Sequence, residues 1–106
     1  MSIGNPSGRF SATKAGTDSG ATATQAADAA QTYVVTNISG HTDADSIITI
    51  ESPLGAVIWQ TKVDVSIEGT NFNFNTTQPI AINTAAVGDI ASSSADCQVT
   101  ISGDII

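Results

Sequence analysis

Ser46-Ile-Ile-Thr-Ile-Glu-Ser52, then Pro53-Leu-Gly55, then Ala56-Val-Ile-Trp-Gln-Thr-Lys-Val-Asp-Val-Ser-Ile-Glu68 run on without a break. Two runs rich in β-formers flank a Pro-x-Gly turn. In the second, Val63, Val65 and Ile67 alternate strictly with Lys62, Asp64, Ser66 and Glu68. A period of two puts the aliphatic side chains on one face and the polar ones on the other, the pattern of a half-buried strand. Trp59, the only tryptophan, sits in the most apolar part of the stretch and is expected to anchor the core, its indole N–H finding a partner. Phe72 and Phe74 alternate with Asn71, Asn73 and Asn75 in the next strand. Trp59, Val63, Val65, Ile67, Phe72 and Phe74 are therefore the expected core anchors.

The same reading extends in both directions. Thr32 to Ile38 is dense in β-formers and stops at Ser39-Gly40, and Ile47 to Ile50 follows the polar loop His41–Asp45. Gln78 to Asn83 predicts a further strand with Ile80 and Ile82 on one face, and Pro79 places it at a sheet edge. Ala85 to Ala95, rich in Ala and Ser, reads as a long loop. Cys97, Val99 and Ile101 alternate again before Gly103-Asp104. About seven short strands at roughly ten-residue spacing, with no amphipathic helix, predict an all-β antiparallel β-sandwich of jelly-roll type.

Residues 1–30 differ from the rest. They contain loose Gly/Pro/Ser segments and an Ala/Thr/Gln/Asp run with no large aliphatic side chain. Their expected form is an extended N-terminal arm, ordered only against a partner, ahead of a β-sandwich body over 31–106. Arg9, Phe10 and Lys14 are its expected contacts with a shell or with neighbouring copies. Phe10 would fill a pocket while the two cations meet carboxylates.

The chain has 106 residues, enough for one domain, and only 12% are charged. Arg9 and Lys14 precede every acid, so residues 18–106 carry ten acids against Lys62, a net of −9 beside the −7 of the whole. A body of that sign repels phosphate backbones and excludes nucleic acid as its partner. No run approaches the ~20 apolar residues of a membrane helix, and no membrane partner is expected. The opening Met-Ser-Ile-Gly-Asn-Pro lacks the apolar core of a signal peptide, which predicts folding in a cytoplasm. One cysteine, Cys97, permits no intrachain disulfide and is expected as a small buried hydrophobe. A body of about 75 residues without staples is near energetic balance, so self-association is expected, with Ile80, Ile82, Ile105 and Ile106 shared between subunits.

Chemistry is hard to find in this chain. His41, Asp43 and Asp45 have alternate spacing that could offer oxygen ligands, but Ile47 and Ile48 stand where a calcium loop would continue. Glu51 and Glu68 read as strand-end residues. No Gly-x-Ser-x-Gly and no phosphate-cradling loop is present. The expectation is no catalytic residue, no metal, no cofactor and no enzyme activity. The cluster Asn71, Asn73, Asn75, Thr76 and Thr77 around two phenylalanines offers an alternative, a carbohydrate- or receptor-binding module of a phage tail or adhesin.

Val35-Thr-Asn-Ile-Ser-Gly-His-Thr-Asp-Ala-Asp45, followed by Ile50-Glu-Ser-Pro-Leu-Gly-Ala-Val-Ile-Trp-Gln60, resembles small structural proteins of tailed phages, in particular capsid decoration or cement proteins. The resemblance covers residues 31–68. It implies a β-sandwich-like knob on the outer capsid, bound to the major capsid protein and commonly a homotrimer at threefold positions. It implies a virion location after assembly in the host cytoplasm, and it carries no ligand or catalytic residues with it.

Overall fold

The computed structural model describes residues 8–16, 20–91 and 96–106. Among these, eight strands and one helical turn follow in the order β1 (Gly8–Gly16), β2 (Ala21–Gln25), β3 (Tyr33–Thr42), β4 (Ser46–Glu51), β5 (Val57–Val63), α1 (Val65–Glu68), β6 (Asn71–Pro79), β7 (Ala86–Ala91) and β8 (Cys97–Ile105). They form two four-stranded sheets, β1-β8-β3-β6 and β2-β7-β4-β5. Every ladder is antiparallel. The chain is all-β, with two sheets packed face to face around one core.

The core follows from the period-two alternation of each strand. Ile48 and Ile50 of β4, Ile90 of β7, and Val99 and Ile101 of β8 are essentially inaccessible to solvent. In β3 the apolar positions fall out of phase, Tyr33 and Val35 and then Ile38. A register shift between Val35 and Asn37 inserts one residue, so that all three point inward. The Tyr33 hydroxyl donates to the Ala26 carbonyl at 2.8 Å, which satisfies its one buried polar group. Gly88 marks the closest approach of the sheets. A Cβ there would stand 2.3 Å from Ile101 Cγ2, a distance no methyl can tolerate.

The N-terminal segment is not an arm in this structure. β1 pairs with β8 along its whole length and β2 with β7, so residues 8–16 and 21–25 are edge strands of the two sheets. Apart from the buried Phe10, their inward side chains are small: Ala21 and Ala23 are buried, and Ala12 packs against the core. The Ala21-Thr-Ala-Thr alternation is a strand signal written in small residues, and backbone hydrogen bonds to a neighbouring strand supply what the side chains lack. The expectations for residues 1–7 lie outside the described residues.

Three other expectations are corrected. The alternation at Val63, Val65 and Ile67 does not continue as a strand. β5 ends at Val63, and Asp64 caps a single helical turn, its carboxylate accepting from the Ser66 N–H at 3.0 Å. Ile67 is left 79% exposed and is no core anchor, while Val65 packs against the core. Gln78 to Asn83 is not a separate strand, because β6 runs through to Pro79 at the sheet edge and then turns. Ile80 is buried there and Ile82 exposed. The expected loop over 85–95 contains β7, whose Gly88 and Ala86 fit the narrow gap between the sheets.

Candidate functional site

The outer face of the sheet β2-β7-β4-β5 is where exposure departs from the ordinary. Inward and outward residues are separated by the register: Ile50 pairs with Trp59 toward the core, and Thr49 with Gln60 on the outer side. A shift between Ile50 and Glu51 then sets Glu51 opposite Val57 and leaves Ile58 as the extra residue. Two consecutive apolar side chains are thereby exposed, Val57 at 51% and Ile58 at 41%. Leu54, at the tip of the loop 52–56, is exposed as well, and so is Ile47, which lies opposite Lys62. Four of the six exposed large hydrophobics among the described residues thus belong to one hairpin, β4–β5. β5 is also the last strand of its sheet, with one edge unpaired among the described residues.

The loop above this face is held by a carboxylate. Ser52 N–H donates to the Ala56 carbonyl at 2.9 Å and Ala56 N–H to that of Pro53 at 3.0 Å. Gly55 takes φ 93°, in the left-handed region that suits glycine. Its N–H donates to Glu51 Oε1 at 2.6 Å, and the Thr49 hydroxyl donates to Glu51 Oε2 at 2.6 Å. Glu51 is 5% exposed and its register partner Val87 is buried, although both lie on the outer face. Asp89, on the same face of β7 and opposite Thr49 in the register, accepts from the Thr22 hydroxyl at 2.7 Å. Burial, then the neighbouring Glu51, raises the pKa of Asp89 above the usual carboxylate range, against the lowering effect of Thr22. Lys62 of β5 is the remaining charged side chain on this hairpin face.

The outer face of the other sheet is polar and almost uncharged. Asn37 lies opposite Asn75, and Ser39 opposite Asn73 and Thr100. The Asn37 side-chain amide donates to Asn73 Oδ1 at 2.6 Å and to Asn75 Oδ1 at 3.0 Å, and the Thr13 and Thr100 hydroxyls share a hydrogen bond of 2.7 Å. Thr77 continues the exposed row, whereas Thr76 lies on the half-buried side.

The residues expected to meet a partner are not brought together. Phe10 is buried against Tyr33, ring centroids 5.2 Å apart, and belongs to the core rather than to a contact surface. Arg9 lies 3.7 Å from Asp104 on the adjoining strand and Lys14 is exposed. Val63 and Phe72 are buried. Trp59 and Phe74 are half-buried at the open side between β5 and β6, 5.7 Å apart, with Phe72 stacked on Phe74 at 6.0 Å. His41 Nε2 lies 2.9 Å from Asp43 Oδ1, but Asp45 turns away to accept from the Val65 N–H at 3.0 Å. The trio therefore does not converge, and no group of three metal-ligating side chains occurs among the described residues. Cys97 is buried, and that burial pushes its thiol pKa up. Ile105 and Ile106 are half-buried at the end of β8.

The Glu51–Asp89 pair and the exposed Val57–Ile58 step were missed in the sequence. The apolar run Ala56-Val-Ile-Trp reads as core, and only the unequal strand lengths about the turn could have hinted at a bulge. Comparison with known protein families, characterised proteins and solved structures returned no significant match. The fold and the hairpin define the class on their own terms: a small two-sheet all-β protein with exposed apolar side chains on one edge hairpin.

Proposed function

We propose that the chain is a non-enzymatic virion structural protein, a capsid decoration or cement protein. Its β4–β5 hairpin lies against the shell and against neighbouring copies. The observation that carries this is the concentration of Leu54, Val57, Ile58 and Ile47 on a hairpin whose own carboxylate is drawn under its loop. Exposed apolar side chains gathered on one hairpin of a small acidic protein favour burial against a partner. The free edge of β5 offers main-chain hydrogen bonds to the same partner. The strand orders 1-8-3-6 and 2-7-4-5 also support reading the sandwich as a jelly roll, an eight-stranded double Greek key frequent in viral capsid domains. Architecture alone does not assign a function, so the hairpin carries the argument. The partner in this reading is the major capsid protein, and the protein itself forms a homotrimer on the outside of the virion, assembled in the host cytoplasm.

The test is a Val57→Asp, Ile58→Asp double variant. Both side chains are exposed, so circular dichroism should be unchanged, while native mass should fall from trimer to monomer and binding to shells of the major capsid protein should be lost. A variant that still trimerises and decorates shells overturns the proposal. A second reading, a carbohydrate-binding module, draws on the Asn37–Asn73–Asn75 amides, which present fixed donors and acceptors on a nearly uncharged face. Saccharide binding on a glycan array, abolished by Asn73→Ala with Asn75→Ala and untouched by the hairpin variant, would favour it.

A further inference from the structure

We propose that the free edge of β5 takes an added strand from the partner chain, an extended segment that carries a carboxylate beside Lys62. The inference rests on reading the β4–β5 hairpin as the contact with the shell, and it names the kind of segment the shell must offer.

The two sides of the sandwich are not alike. On the side where β1 and β2 adjoin, Phe10, Ala21 and Ala23 are buried. On the side of β5 and β6, Trp59 and Phe74 meet at 5.7 Å and stay only half-buried. Two large rings are thus left partly wet beside β5, which has one partner, β4. Its other side presents an unpaired row of N–H and C=O groups among the described residues. The pairing shift at Ile58 bends the strand, so the regular edge runs over residues 59–63. Trp59, Thr61 and Val63 turn toward the core side there, and Gln60 and Lys62 are exposed on the outer face. Alternate side chains of an added strand would therefore cover Trp59 from the core side.

Lys62 decides what can pair with this edge. It is exposed, and among the described residues it has no ion-pair partner. It is also the only lysine or arginine in residues 18–106. A lysine on an edge keeps out a strand that brings it no counter-charge. A second copy brings none: its edge strands are β1, β2, β5 and β6, and no Asp or Glu occurs in any of them. The added strand must come from a different chain. Its outer residues are a carboxylate beside Lys62, an uncharged polar group beside Gln60 and an apolar side chain near Ile58. Its inward residues are apolar.

The test uses two synthetic peptides of seven residues, the length of β5. Both alternate valine and threonine, and the middle threonine is replaced by glutamate in one and by lysine in the other. Binding is followed by NMR of the backbone amides and by Trp59 emission, in the wild type and in Lys62→Glu. In the wild type the amides of residues 59–63 should shift saturably and Trp59 emission should move to shorter wavelength. The glutamate peptide should bind about fivefold more tightly than the lysine peptide, the upper end for one exposed ion pair. Lys62 is exposed, so Lys62→Glu should keep the fold and reverse the preference. No saturable shift at β5, shifts at β6 instead, or a preference that Lys62→Glu leaves unchanged overturns the proposal. Nuclear Overhauser contacts between the β5 strands of two differently labelled copies, seen without peptide, also overturn it, because the occupant is then a second copy. If the peptides behave as described but Lys62→Glu binds shells of the major capsid protein as tightly as the wild type, the edge site stands and the capsid reading falls.

Discussion

Replacing Phe10 with alanine separates a strand from an arm. If residues 8–16 were an arm ordered only by a partner, the change would leave the isolated fold untouched. In the structure Phe10 is 6% exposed, packs on Tyr33 at 5.2 Å, and lies opposite Gly103, where a Cβ would come 3.0 Å from its ring. Burying a phenylalanine removes about 150–200 Å² from water, which at ~25 cal/mol per Å² is about 4–5 kcal/mol as an upper figure. Losing the tilted aromatic pair adds about 0.5–1.5 kcal/mol. β1 is an edge strand and can partly collapse into the space, so the net cost is expected at about 3–4 kcal/mol, within the range for Phe→Ala in cores. For a domain of this size that lowers Tm by roughly 12–30 °C, a large part of a typical total stability of about 5–15 kcal/mol. Urea and thermal denaturation followed by circular dichroism measure it directly. Removing residues 1–16 should be worse still, since it strips the partner from β8 and exposes the Tyr33 side of the core. A Phe10→Ala protein within about 1 kcal/mol of wild type, well below the cost of a core truncation, would refute the placement of β1 in the sheet.

Further outcomes follow from the same packing. Trp59 is only half-buried at the open side of the sandwich, so Trp59→Ala should cost about 2 kcal/mol, less than a fully buried tryptophan, and its emission should lie between the buried and exposed extremes. Gly88→Ala drives a methyl into Ile101 and should cost about 1–3 kcal/mol. A double-mutant cycle with Ile101→Ala should show a coupling of about 1 kcal/mol or more between them. Because the folded-state pKa of Asp89 is raised, its contribution to stability is fully present below the ordinary aspartate pKa and is lost as pH rises through the raised value. Urea midpoints of wild type relative to Asp89→Asn should fall across that window, and a constant difference would contradict the assignment. Cys97, buried with a raised thiol pKa, should resist alkylation at pH 8 until the chain unfolds.

Alternation in the sequence was enough to determine that this chain is all-β. It also determined that Ile48, Ile50, Val99 and Ile101 turn inward, because a period of two leaves a strand no other way to bury them. The polar row Asn71, Asn73 and Asn75 was legible for the same reason. Local pattern could not decide the rest. Ala-Thr-Ala-Thr in β2 has too little apolar surface to declare itself, and becomes a strand only because β7 presents an unpaired edge to it. Val63, Val65 and Ile67 keep the alternation of a strand, yet the Asp64 cap turns the chain after one residue of it. Phe10 looks like a lone aromatic in a polar tail until β8 brings Gly103 opposite and leaves room for the ring. The candidate surface was the least legible part. Val57 and Ile58 are exposed by a one-residue shift in pairing, and Glu51 and Asp89, 38 positions apart, share one sheet face only because the winding of the chain sets β7 beside β4. Alternation is a property of neighbours along the chain, whereas the pairing of those strands is set by loop closure and by the packing of one sheet on the other, which no local window contains.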